Sequence, residues 1–169
     1  IIIDNDTTAD AVTGEFSGLT DGQAFELTSS SDGLSYVFTI DYQGGDGNDV
    51  VLTNHGVAET SVEIDGSGNL VITDINGGTS DDNLTISDDG THYVISDTAL
   101  TLTSSIVGAE RPDQTTIRVA KGDVTGGLIF NTLGNANDTV TIGGSNAMTF
   151  AGDVTVNAEA INLNQSIDA

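Results

Sequence analysis

Apolar and polar residues alternate along most of the chain. Tyr36-Val37-Phe38-Thr39-Ile40-Asp41-Tyr42 places Tyr36, Phe38, Ile40 and Tyr42 on one face of a strand. Leu84-Thr85-Ile86, Leu100-Thr101-Leu102, Ile117-Arg118-Val119, Val140-Thr141-Ile142, Val154-Thr155-Val156 and Ile161-Asn162-Leu163 repeat one scheme of aliphatic in, polar out, aliphatic in. Threonine suits the outward positions because its branched Cβ tolerates extended backbone. The runs are broken by Gly44-Gly45-Asp46-Gly47-Asn48, Asp65-Gly66-Ser67-Gly68-Asn69, Asn76-Gly77-Gly78, Asp88-Asp89-Gly90, Gly126-Gly127 and Gly143-Gly144-Ser145-Asn146. These residues accept positive φ or cap their own backbone. No long stretch carries a helical period, so the pattern predicts an all-β chain.

Composition bears on the architecture. Aromatic residues are 5% of the chain and tryptophan is absent. A narrow core of small aliphatics in three-residue strands fits a β-solenoid, a parallel β-helix-like stack, better than the larger core of the alternative, β-sandwich modules. A seam near Asn54 to Thr60 separates a Tyr/Phe-containing module, residues 1–55, from an aliphatic module, residues 56–169. The alternation persists through Ile161 to Ile167, as if the second module continued beyond the C-terminus. The chain opens on Ile1-Ile2-Ile3 without a basic region and reads as a mature or internal piece. No apolar run approaches the roughly 20 residues that span a bilayer.

Charge narrows the partners. Three Lys and Arg against 26 Asp and Glu give a formal net charge of −23. Such a chain repels phosphate backbones and anionic lipid, which argues against nucleic-acid binding and membrane insertion. The absence of cysteine excludes disulfides, thiolate metal sites and a cysteine nucleophile. Repulsion among the carboxylates opposes a compact state, and cations that bind only the folded form would offset it.

The acidic glycine loops point to calcium as that cation. Gly44-Gly45-Asp46-Gly47-Asn48-Asp49-Val50-Val51-Leu52 fits the nonapeptide G-G-x-G-x-D-x-U-x, with Asp49 as the acid and Val51 as the inward aliphatic. Its glycines allow a tight turn in which carbonyls and carboxylate converge on a hard ion, so Asp46, Asn48 and Asp49 are candidate ligands. Gly77-Gly78-Thr79-Ser80-Asp81-Asp82-Asn83-Leu84-Thr85 and Leu133-Gly134-Asn135-Ala136-Asn137-Asp138-Thr139-Val140-Thr141 are degenerate relatives. They add Asp81, Asp82, Asn137 and Asp138. Asp49, Asp82 and Asp138 lie 33 and 56 residues apart, however, and a continuous calcium roll stacks its repeats back to back. The competing reading is that the loops are Asx-capped turns entering strands. Asp4-Asn5-Asp6 and Asp88-Asp89 are further acidic turns of the same kind.

With these motifs in view, the chain resembles segments of large bacterial surface and secreted repeat proteins, of the autotransporter-passenger and filamentous-adhesin kind. Residues 38–53 resemble the closing phrase of passenger-associated repeats, and residues 14–23 their opening phrase. Residues 153–164 resemble a coil of a haemagglutinin-like β-helix. The resemblance implies export, a β-solenoid and a non-catalytic scaffold or adhesive role at the cell surface. Its partners would be neighbouring modules or identical subunits in an end-to-end polymer, or cell-surface polysaccharide.

Two alternatives stand beside that expectation. A carbohydrate-binding or polysaccharide-cleaving β-helix would use the clustered Arg111, Arg118 and Lys121 in an anionic-substrate groove, although local pairing with Glu110, Asp113 and Asp123 accounts for the cluster more simply. An ice-binding solenoid would use the T-x-T strands at Thr101 to Thr103 and Thr139 to Thr141, which are too few for a regular array. Asp81 and Asp82 are sequence neighbours that face opposite ways in a strand, so they form no acid/base pair. His55 and His92 are far apart, and no G-x-S-x-G is present.

Overall fold

The computed structural model describes Ile3 and residues 12–76, 80–132 and 137–169. Two compact units divide the chain: Ile1–Val57 with Arg111–Gln114, and Ala58–Glu110 with Thr115–Ala169.

The first unit contains β1 (Ala24–Thr28), β2 (Ser35–Gly44) and β3 (Asp49–Val57), an antiparallel sheet in the order β1-β2-β3. Ile40, Tyr42 and Val50 form its core, with Val12, Leu19, Phe25 and Leu52 packed around them. The Tyr42 hydroxyl donates to the Leu19 carbonyl at 2.9 Å and accepts from the Phe16 N–H at 2.7 Å. The expected single face of Tyr36, Phe38, Ile40 and Tyr42 is not what forms. The β2–β3 register shifts between Tyr36 and Phe38, so Val37 is buried while Tyr36 and Phe38 are half-buried. Ile40 and Tyr42, beyond the shift, keep the predicted inward face.

The second unit contains β4 (Thr60–Ile64), β5 (Leu70–Asp74), β6 (Asn83–Asp88), β7 (His92–Asp97), β8 (Leu102–Ser104) and β10 (Thr116–Ala120), while β9 (Glu110–Asp113) runs from its Glu110 into the Arg111–Gln114 segment that groups with the first unit. A 3₁₀ turn at Lys121–Asp123 follows. Then come β11 (Leu128–Asn131), β12 (Thr139–Ile142), β13 (Met148–Thr149), β14 (Val154–Asn157), β15 (Ala160–Leu163) and β16 (Ile167–Asp168). Two sheets of this unit are mixed and open, with strand orders β15-β12-β6-β7-β10 and β14-β11-β5-β4-β8, and β13-β16 is a parallel pair. The chain is all-β, as the alternation predicts.

Within these sheets the late strands stack in parallel and in register. Leu70, Leu128 and Val154 are aligned across β5, β11 and β14. Leu84, Val140 and Ile161 are aligned across β6, β12 and β15, and Met148 pairs with Ile167. Like residues therefore lie over like residues. The inward set, including Leu70, Ile72, Leu84, Ile86, Phe130 and Ile142, forms one fully buried cluster. Outward positions do not repeat a threonine array: Thr141 is flanked by Thr85 and Asn162.

Two local expectations need correction. Leu100-Thr101-Leu102 is not a strand, because β8 begins only at Leu102. The Asp97 carboxylate accepts the Ala99 and Leu100 N–H groups at 2.8 and 2.7 Å and closes a turn there. Ile161 and Leu163 alternate as expected, but they stay 45% and 66% exposed because β15 is an edge strand.

The turns use Asx capping. Asp65 Oδ1 accepts the N–H of Ser67 and Asn69, and Asp89 Oδ1 accepts those of Thr91 and His92. Gly127 lies tight against neighbouring backbone. Its N–H donates to Asn69 Oδ1 at 2.6 Å, and a Cβ there would lie 2.0 Å from the Asp153 carbonyl oxygen. The obstacle is backbone, which yields little. Gly127→Ala is expected to destabilise by about 1–3 kcal/mol in chemical denaturation; an unchanged midpoint would show that the β11 layer is not so tightly seated.

Candidate metal centre

Register brings the acidic loops of the second unit together. Asp82 precedes β6 and Asp138 precedes β12, and Asn83 pairs in parallel with Thr139, so the two aspartates are stacked despite being 56 residues apart. The Asp82 N–H donates to Asp138 Oδ1 at 2.9 Å, and the Thr139 N–H donates to the Asp82 carbonyl at 2.8 Å. One position earlier, the Asn137 N–H donates to Asp81 Oδ1 at 3.0 Å. The same step recurs towards β15: the Ala160 N–H donates to the Asp138 carbonyl at 2.9 Å, and the Asp138 N–H to Glu159 Oε2 at 3.1 Å. The result is a ladder of carboxylates beside the starts of β6, β12 and β15, in which Asp138 and Glu159 each accept a backbone N–H that precedes the neighbouring earlier strand.

Asp74 completes the site. It ends β5, and its Oδ1 accepts the Asn76 N–H at 3.0 Å. Glu59 Oε2 holds both described ends of the β5–β6 connection, accepting from Asn76 Nδ2 at 2.6 Å and Ser80 Oγ at 3.1 Å. One carboxylate oxygen from each of Asp74, Asp82 and Asp138 lies within 4.8 Å of the others.

This is a costly arrangement for a bare protein. Asp82 is 2% and Asp138 0% exposed, and Oδ2 of each has no hydrogen-bond partner among the described residues. Burial, followed by the charges of Asp74, Asp138 and Asp97, pushes the Asp82 carboxyl up to about 7, against a weak hydrogen bond from the Thr60 hydroxyl at 3.4 Å. Burial also raises Asp138, with Glu159, Asp74 and Asp81 adding to the shift and the Asp82 N–H opposing it. A carboxyl raised in the folded state stabilises most when both states are protonated, and that contribution fades as pH rises through its folded value. In cation-free buffer the protein should therefore melt higher near about pH 5 than near about pH 8. A melting temperature that climbs over this interval would contradict the burial of Asp82.

The other residues singled out in the sequence are placed as follows. Asp81 and Asn137 are exposed beside the ladder. Asp46, Asn48 and Asp49 belong to the turn between β2 and β3, where Asp46 is exposed and Asn48 and Asp49 are buried. A Cβ on Gly45 would meet Asp49 Oδ2 at 1.9 Å, so that carboxylate folds back over the glycine turn. The flanking strands are antiparallel, unlike the parallel coils of a calcium roll, and no other carboxylate joins the turn in a three-ligand cluster among the described residues. Asp88 and Asp89 are engaged by Lys121 and Arg118. Asp4-Asn5-Asp6, Gly77-Gly78-Thr79 and Leu133 to Ala136 lie outside the described residues.

The basic cluster is neutralised. Arg111 pairs with Glu26, Arg118 with Asp89 and Glu110, and Lys121 with Asp88. Of the pairings expected, Arg118 with Glu110 is present, whereas the carboxylates on Arg111 and Lys121 come from other strands and turns.

The aspartate triad offers three hard oxygen ligands and nothing softer, a donor set for calcium or magnesium rather than for a transition metal. No protein-family model, characterised protein or solved structure matches this chain.

Proposed function

We propose that the chain is a non-catalytic structural or adhesive module of an extracellular bacterial surface or filament-forming protein. In this reading the second unit is a short β-solenoid, and calcium offsets part of its negative charge. The observation that carries the proposal is the constant register of β5, β11 and β14 and of β6, β12 and β15, which stacks aliphatic over aliphatic and acid over acid. Stacks of this type resist extension through serial backbone hydrogen bonds and need no cleft. The pairing of all three basic side chains favours this role over a groove for anionic polysaccharide.

The β14–β16 end supports association with a further layer. Val154, Val156, Ile161, Leu163 and Ile167, together with Asp153 and Thr155, line an open groove of about 760 Å³ beside the edge strands β14 and β15. Unpaired strand edges next to apolar side chains favour strand addition, either by a neighbouring module or by an identical subunit. Light scattering should show mass rising with protein concentration, and Leu163→Lys should suppress the rise. A constant monomer mass over the soluble range would remove the polymer-forming part of the proposal.

A further inference from the structure

We infer that Asp74, Asp82 and Asp138 form a binding site for one hard divalent cation of the calcium class, which pins the end of β5 to the starts of β6 and β12. The inference deepens the cation-stabilised reading above by giving the ion a place, and it takes from that reading only the premise that cations bind.

Two independent observations carry it. The first is convergence: three carboxylate oxygens approach within 4.8 Å of one another. Calcium binds oxygen at about 2.3–2.6 Å, so any two oxygens on one ion lie at most about 4.6–5.2 Å apart, a limit that every pair in the triad meets. The second is the pair of stranded atoms. Asp82 Oδ2 and Asp138 Oδ2 sit on side chains that are almost wholly buried, and neither accepts a hydrogen bond among the described residues. A buried acceptor without a donor is costly, and two such acceptors in one carboxylate cluster are the mark of a missing positive partner. No basic side chain supplies that charge, because Arg111, Arg118 and Lys121 pair with Glu26, Asp89 and Glu110, and Asp88.

The site is absent from a linear reading because its ligands come from three places. Asp74 closes one strand, and Asp82 and Asp138 open two others that meet only through parallel register. The ion would bridge layers of the stack, coupling their folding to its own binding.

The test is calorimetric titration of the whole chain with calcium chloride, and separately with magnesium chloride, paired with thermal melts in EGTA and in calcium. The expected result is one ion per chain at this site and a higher melting temperature in calcium. Asp82→Asn, which keeps the side-chain volume and relieves repulsion, should melt at least as high as the parent in EGTA, weaken calcium binding by about tenfold or more and abolish the calcium-dependent rise. Asp74→Asn, at the least buried ligand, should act in the same direction. An equal calcium response in the parent and both variants would overturn this site while leaving cation stabilisation intact. A response lost in Asp49→Asn and kept in Asp82→Asn would move the ion to the β2–β3 turn and equally overturn the site. No response in the parent would overturn both the site and the cation-stabilised reading.

Discussion

Replacing Phe130 with alanine should cost about 3–5 kcal/mol, the largest single loss expected in this chain. Phe130 is 0% exposed in β11, the middle layer of its parallel set, where it is aligned with Ile72 on one side and Val156 on the other. The cluster around it is close-packed and mostly Ile, Leu and Val, with Tyr93, Met148 and Phe150 as its other large members, so truncation leaves a cavity that the surroundings fill only in part. Native domains are stable by only about 5–15 kcal/mol, so a large fraction of the total would go. The melting temperature should fall by about 10 °C, whereas a fall of a degree or two would mean that the β5, β11 and β14 layers are not closely packed.

The second large effect is expected at Lys121. Its ammonium engages Asp88 Oδ2 and lies 5.5 Å from the centre of the Tyr93 ring, and the Asp88 side chain is 1% exposed. Asp88 Oδ1 also accepts the Gly90 N–H at 2.6 Å, so the carboxylate anchors the β6–β7 turn. Lys121→Met would keep most of the stem and leave that carboxylate buried without its cation. Because the lysine is itself about one-third exposed, water would replace part of the loss, and a cost of about 2 kcal/mol is expected. The diagnostic is the double variant Lys121→Met with Asp88→Asn, which should recover most of that loss. Strictly additive effects would show that the pair is not coupled.

Strand identity was legible wherever alternation acts within one strand. Leu84, Ile86, Ile117, Val119, Val140 and Ile142 all face inward as their spacing predicts. The reading slipped where a non-local event decides the face. Val37 is buried in place of Phe38 because β3 shifts register against β2, and nothing within β2 announces that. Leu100 is lost to a turn because Asp97 captures two backbone N–H groups.

The candidate site was half legible for the same reason. Asp82 and Asp138 stand out because each precedes a short aliphatic strand in a similar phrase. Their 56-residue separation counts against a shared ion only if stacking is assumed to follow the sequence. The intervening chain instead runs out through β7 to β11 and returns to lay β12 on β6. Asp74 belongs to no motif, and only the close approach of β5 and β6 recruits it. The loop at Asp46 to Asp49, the best motif match, encodes a glycine turn, but the motif does not specify whether parallel or antiparallel strands flank it.

Residues 56 positions apart lie side by side across β6 and β12, and a crosslink measures that most directly. The chain has no cysteine, so the double variant Thr85→Cys, Thr141→Cys introduces a single thiol pair at two half-buried positions that register places opposite each other. Neighbouring strands are about 4.7–4.9 Å apart, within the roughly 4.4–6.8 Å between Cα atoms that a disulfide accepts. Mild oxidation of dilute folded protein should yield an intramolecular disulfide in nearly every chain, while a control pair at Thr85 and Thr155, on strands of different sheets, should stay reduced. Failure of the Thr85–Thr141 pair to close, or closure no faster than the control, would contradict the parallel register and with it the ladder that builds the aspartate site.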